Sequence, residues 1–350
     1  MINIKVNILL LVLTLFVFGC IEPNKEDLWS ISIDGLLETN GFARDVRITE
    51  GKAYVAAGQS GIQIWSLEQM KQLNKYEEFI IPFATDHIDY IDLALVDLDT
   101  LNKLIFLSES NQDVSISYYG DEDTLIYYNE ILSSRTKDFV LFPAMSGRFV
   151  LFAADNDDGM KWSIFDYDEN VDGLGNPGYR PTFPAIEFAE LQTPGKPLGI
   201  DSDGSRYIAM AVDQLGVELY SIDSLGSIPV LVGKIDTDGN AESVCLKTDG
   251  IYVACDDAGA AFIPIASFSS GNNLYYRFAE DLTVDHVAVN GNIAALSLGS
   301  KGIALYDISD PTSPSEKGIF PIGYTYRSEF WGNKLVVCSR EGLQVLTIEQ

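Results

Sequence analysis

The chain has 350 residues, 47% of them apolar and 11% aromatic, and a formal net charge of −28. That apolar content excludes global disorder, and so large an excess of acid excludes a nucleic-acid surface, which needs clustered Lys and Arg. A cationic partner, a divalent ion and plain solubility are all compatible with the acidity.

Residues 1–19 read as a targeting peptide. Lys5 gives a weakly basic start, and Ile8–Phe18 is an apolar run too short for a comfortable membrane span. It ends in Val17-Phe18-Gly19-Cys20, which resembles the lipobox of bacterial and archaeal lipoproteins, although Phe18 is bulkier than the residue usual there. The resemblance implies cleavage before Cys20, lipid on its thiol and an extracytoplasmic, membrane-anchored address (outer membrane or cell surface). Residues 20–27, polar and holding Pro23, then form a short lipidated tether.

Residues 28–350 read as a single domain of repeated units. The first unit runs A-R-D-V-R-I from Ala43, a turn at Glu50-Gly51, A-Y-V-A-A, a loop Gly58-Gln59-Ser60, G-I-Q-I-W-S-L, and a fourth extended piece at Tyr76–Ile81. That makes four short strands, A to D, joined mainly by tight turns. Later units begin near Ile91, Lys137, Leu198, Glu242, Asp285 and Arg327, and the third carries the longest insertion, Asp168–Pro181. A glycine opens most C strands: Gly61, Gly216, Gly259, Gly302 and Gly342. The last three stand 43 and 40 residues apart, a spacing of architectures that repeat small sheets.

The last unit ends after its C strand, while Leu28–Leu36 precedes the first A strand, where a D strand belongs. Pairing those two segments completes a seventh sheet and removes two open edges, whereas a linear solenoid needs capping units. The predicted fold is therefore all-β: a seven-bladed β-propeller of four-stranded antiparallel blades, closed by the N-terminal strand joining the C-terminal blade. Ala294–Pro314, ending Y-D-I-S-D-P-T-S-P, and Ala53–Leu67 resemble the LVIVD-type repeat of bacterial and archaeal cell-surface β-propellers. The resemblance implies this fold and a surface location, and it brings no catalytic set.

In a propeller the A strands are innermost, and their first residues ring one mouth of the channel. The repeat register places Asp45, Asp92, Asp138, Ser243, His286 and Arg327 there, a converging set of polar groups and the candidate ligand-binding ring. A wetted channel needs a polar lining whatever its function, so that is the competing reading. In the insertion, Asp168, Asn170 and Asp172 alternate before Gly173, followed by Leu174 and Asn176. Oxygen donors in this pattern suit calcium, and the stretch resembles the calcium loops of some surface propellers. Tyr179 stands where a helical calcium hand has glutamate, and an ordinary acidic loop is the alternative. Asp155–Trp162 resembles a sialidase Asp-box only by chance, with aspartate in place of serine and a single occurrence.

Only His87 and His286 are present, and no nucleophile or phosphate-cradling motif accompanies them, so no catalytic residue is assigned. After Cys20, the odd set Cys245, Cys255 and Cys338 leaves at least one thiol unpaired, and a one-residue register decides whether the first two face each other. The function expected is a non-enzymatic, lipid-anchored module that binds or scaffolds a protein or glycan. The alternative is a hydrolase or lyase acting on a carbohydrate or lactone at the channel mouth.

Overall fold

The computed structural model describes residues 27–81, 87–100, 103–119, 125–131, 133–142, 148–168, 180–181, 187–224 and 227–350. The targeting peptide with Cys20, and the loop positions Asn170, Asp172, Leu174 and Asn176, lie outside the described residues; Asp168 closes a C strand.

Seven sheets, antiparallel but for one strand pair in the second, stand around one axis. Their innermost strands are Asp45–Thr49, Leu93–Asp99, Thr136–Phe142, Gly199–Ser202, Ser243–Leu246, His286–Asn290 and Thr325–Trp331. Each touches the next, and the last touches the first, so the ring is closed. The closing sheet orders Ser30–Leu37, Gly342–Glu349, Lys334–Ser339 and Thr325–Trp331, with Ser30 opposite Glu349 and Leu37 opposite Leu343. The N-terminal strand thus serves as strand D of blade seven.

The core lies between blades. Seven apolar clusters fill the seven joints, such as Phe262 and Phe278 of blade five against Leu296 and Tyr306 of blade six. Each B and C strand is therefore covered on both faces, and its sequence is a near-continuous apolar run; Ala53, Tyr54, Val55 and Ala56 are all buried.

The recurring glycine has a steric cause. Gly61, Gly159, Gly216, Gly259, Gly302 and Gly342 all have positive φ, and a Cβ at any of them would come within 2.0–2.3 Å of a carbonyl oxygen on, or just after, the adjacent strand. At Gly302 that oxygen is Phe320 O, and at Gly342 it is Leu37 O of the N-terminal strand. No side chain fits so close a backbone approach, so the glycine marks where strands C and D meet.

Two blades depart from four strands. Strand D of blade one is Lys71–Tyr76, not Tyr76–Ile81, because the turn ending at Met70 (φ 49°) reverses the chain directly after Ser66. Glu78–Ile80 instead pairs parallel with Leu125–Ile131, and His87–Asp89 extends blade two to six strands. Phe79 is held there by packing on Tyr90 and Tyr127, each 5.5 Å away between ring centroids. In blade three both Arg180–Pro181 and Glu187–Leu191 pair with the C strand. A short helix, Ile265–Ser270, follows strand C of blade five. The three cysteines among the described residues are free thiols: Cys245 faces Tyr252 across its ladder, so it does not meet Cys255.

Candidate functional site

Side chains from the innermost strands stitch the blades together. Asp45 Oδ2 accepts Val96 N–H at 3.1 Å, Asp97 Oδ2 accepts Leu141 N–H at 3.3 Å, and Asp138 Oδ2 accepts Ile200 N–H at 3.3 Å. Asp201 Oδ2 accepts Leu246 N–H at 2.7 Å, and Ser243 Oγ accepts Val287 N–H at 3.2 Å. Glu329 accepts from Ile48 N–H, which ties blade seven to blade one. Burying these carboxylates is tolerable because each receives such bonds from the neighbouring blade.

Two arginines cross the channel among them. Arg327 of blade seven reaches Asp138 of blade three at 3.0 Å and Asp45 at 3.7 Å, while Arg47 stands 3.5 Å from Asp97. Burial opposes the charge on Arg327, but Asp138 and then Asp45 outweigh it and raise its pKa. His286 is driven well below its ordinary range by burial, then by Arg327 and Arg47, and is neutral. The structure therefore gathers Asp45, Asp138, Ser243, His286 and Arg327 of the predicted ring around one channel. Asp92 falls just before its strand and instead pairs with Arg44 at 3.0 Å on the D–A and B–C face, where Ser110 Oγ also donates to it. Arg47, Asp97, Asp201 and Glu329 belong to the channel and were not singled out in the sequence. Only Asp97 carried a signal, as a charge inside the otherwise apolar run of Leu93–Leu98; the strands of the other three are too polar for one charge to stand out.

The cavity encloses about 560 Å³ and runs from Asp138 and His286 to Lys247, Asn290 and Gly332, which lie at the A–B turns. It thus extends toward the mouth opposite the D–A and B–C loops.

A second feature occupies the D–A and B–C face. Phe42 is 48% exposed, and its ring lies 6.5 Å from Tyr326, which in turn is 5.0 Å from Tyr324. The Arg340 guanidinium sits 4.0 Å from the Tyr324 ring centroid and 5.8 Å from that of Phe42, and Arg44 lies 5.4 Å from Tyr326. Cation–π contacts of this kind hold the two arginines against the rings. Beside this shelf a cleft of about 550 Å³ opens between Phe42, Arg44, Gln59, Ile91 and Asp92, and Ile91 is 72% exposed. On the far side of the same face the charge is reversed. Burial, then Asp256 and Asp213, push Glu242 up to about 7. Asp155 is fully buried, accepts from Ser133 Oγ, Ser134 N–H and Asp157 N–H, and pairs with Lys161 at 3.3 Å, so it ties its own B–C turn to the D–A loop that enters the blade.

These groups set a pH dependence. Burial pushes Asp201 up to about 6 and Glu329 up to about 7, beside Glu242 at about 7. A carboxyl raised on folding binds more protons in the native chain. Its contribution is therefore full below the unfolded value of about 4 and lost as pH rises through 6 to 7. His286 acts in the opposite sense and costs stability below about pH 6.5. With these acids, and Asp97 and Asp285 raised in the same sense, set against one histidine, Tm is expected to peak near pH 4 and to be about 5 °C lower at pH 8. A calorimetric profile that is flat or rising over that span would refute the assignment.

The closed ring and its central channel define the class: a seven-bladed β-propeller. Residues 283–321 match the LVIVD repeat family. No curated protein matches the chain. Among solved structures it is similar to U3-55K, with TM-score 0.66 and 11% identity over 91% of this chain and 98% of that one. The WD40 β-propeller domain of Doa1 gives 0.62 and 10% over 92% and 97%. The computationally designed Ika8 protein gives 0.57 and 12% over 89% and 97%. Likeness at such identities establishes the fold alone.

Proposed function

We propose that the protein is a lipid-anchored, extracytoplasmic, non-enzymatic binding module that engages a protein or glycan partner through the shelf of Phe42, Arg44, Tyr324, Tyr326 and Arg340. The observation that carries this reading is the exposed Phe42 ring bracketed by Arg340 and Tyr326. Tyr, Phe and Arg around a cleft are the composition of binding hot spots, and aromatic faces also stack on sugar rings. The channel carboxylates, which an enzyme would need free, are engaged by neighbouring strands and arginines. The chain's route supports the anchor: Ser30 enters beside Glu349, at the face opposite the shelf, so lipid on Cys20 leaves the shelf pointing away from the bilayer. Among the described residues no helix is long and apolar enough to cross a membrane.

The test places a photo-crosslinking amino acid at position 42, and separately at the exposed Ile228, in the intact protein in its own cells. A discrete adduct from position 42 that disappears with Arg340→Glu supports the reading, and equal labelling from both positions refutes it. Cys20→Ser should move the protein from the membrane to the soluble fraction; unchanged fractionation refutes the anchor.

A further inference from the structure

The joint between blades six and seven differs from the others. Elsewhere an innermost side chain accepts a hydrogen bond from an N–H of the adjoining innermost strand; at this joint no such bond exists among the described residues. Asn290 Nδ2 instead donates to Gly332 O at 2.8 Å, at the A–B turns. The innermost strand of blade seven is bulged here, between Thr325 and Ser328. Bulges re-aim side chains, and they recur beside binding sites.

Three buried polar atoms on residues lining the cavity, His286 Nδ1, Ser328 Oγ and Glu329 Oε2, have no hydrogen-bond partner among the described residues. Ser328 is only 5% exposed. An unmet buried polar group is destabilising, so these three, two at this joint and Glu329 Oε2 on the blade-one side of the same strand, mark a wall of the cavity where a partner molecule is stabilising. Charge narrows its class. Asp45, Asp97, Asp138, Asp201 and Glu329 oppose an anion, while Arg47 and Arg327, which hold His286 neutral, oppose a cation beside that ring. A hydroxyl both donates and accepts, which suits a serine hydroxyl, an imidazole nitrogen and a carboxyl oxygen together. Phe330 and Val289 also line the cavity and offer apolar surface to C–H groups. The volume of about 560 Å³ is within the range of small-molecule sites.

We propose that the channel beside the innermost strands of blades six and seven binds a compact, neutral, hydroxyl-rich molecule of monosaccharide or cyclitol size, held by His286, Ser328 and Glu329. The site is independent of the shelf and does not rest on the function proposed for it. Glucose and myo-inositol are the probes, read by saturation-transfer difference NMR and by titration calorimetry on the full domain. Saturation transfer to at least one probe is expected, with binding about tenfold weaker in Ser328→Val and in Glu329→Gln, and unchanged in Leu73→Ser on the exterior of blade one. Absence of transfer to both probes, or transfer that the channel variants leave unaltered, overturns the proposal. Glu329→Gln preserves shape, so it keeps the test decisive if Ser328→Val fails to fold.

Discussion

A chain beginning at Glu38 is expected to lose the closed ring. The segment removed carries Leu37, which is buried, with Trp29 and Ile31 packed on the blade six–seven cluster, together worth about 4 kcal/mol of apolar burial. Its loss also strips the ladder from Gly342–Glu349 and leaves an open apolar edge, a template for pairing between molecules. Size-exclusion chromatography should show aggregates, and circular dichroism should show no cooperative melt near that of the intact protein. A truncated monomer melting within about 5 °C of the intact chain would mean that closure contributes little.

The second large effect is expected at Asp138. It accepts from Phe139 N–H at 3.1 Å and Ile200 N–H at 3.3 Å, and it is the nearest counter-charge to Arg327. Asp138→Ala leaves a guanidinium in the channel with only the more distant Asp45, and breaking such a pair costs about 3–4 kcal/mol. Adding Arg327→Met removes the stranded charge, so the double variant should recover about half of the loss. Denaturant unfolding of the four proteins in the cycle measures the coupling. Additive effects would show that the two side chains act independently.

Architecture was legible because it is written in short-range terms. The G-I-A-L-Y-D-I phrase from Gly302 gives a strand opened by a glycine, its recurrence gives the blades, and the unmatched Leu28–Leu36 gives the closure that the ladder from Ser30 to Leu37 realises. What the glycine is for was not legible, because the carbonyl it faces lies on the adjacent strand. The channel was partly readable. Asp45, Asp138, Ser243 and His286 fall where the repeat register puts them, but a bulge shifts Arg327, and Asp92 slips out to Arg44. Neither event leaves a mark in a single sequence, since a bulge changes pairing without changing composition. The shelf was also hidden. Tyr324 and Arg340 meet across the inner strand pair of blade seven, and only ring closure brings Phe42 beside them. Strand D of blade one was misplaced because Lys71–Tyr76 has little apolar content, whereas Phe79-Ile80-Ile81 looks like a strand and is used by the neighbouring blade.

Ser30 and Glu349 are partners in a single ladder, so both tails of the domain leave beneath the ring. A handle grafted to the carboxyl end therefore tethers the molecule to a sensor surface in the orientation that an amino-terminal anchor imposes. The arginine–aromatic platform then faces the flowing solution.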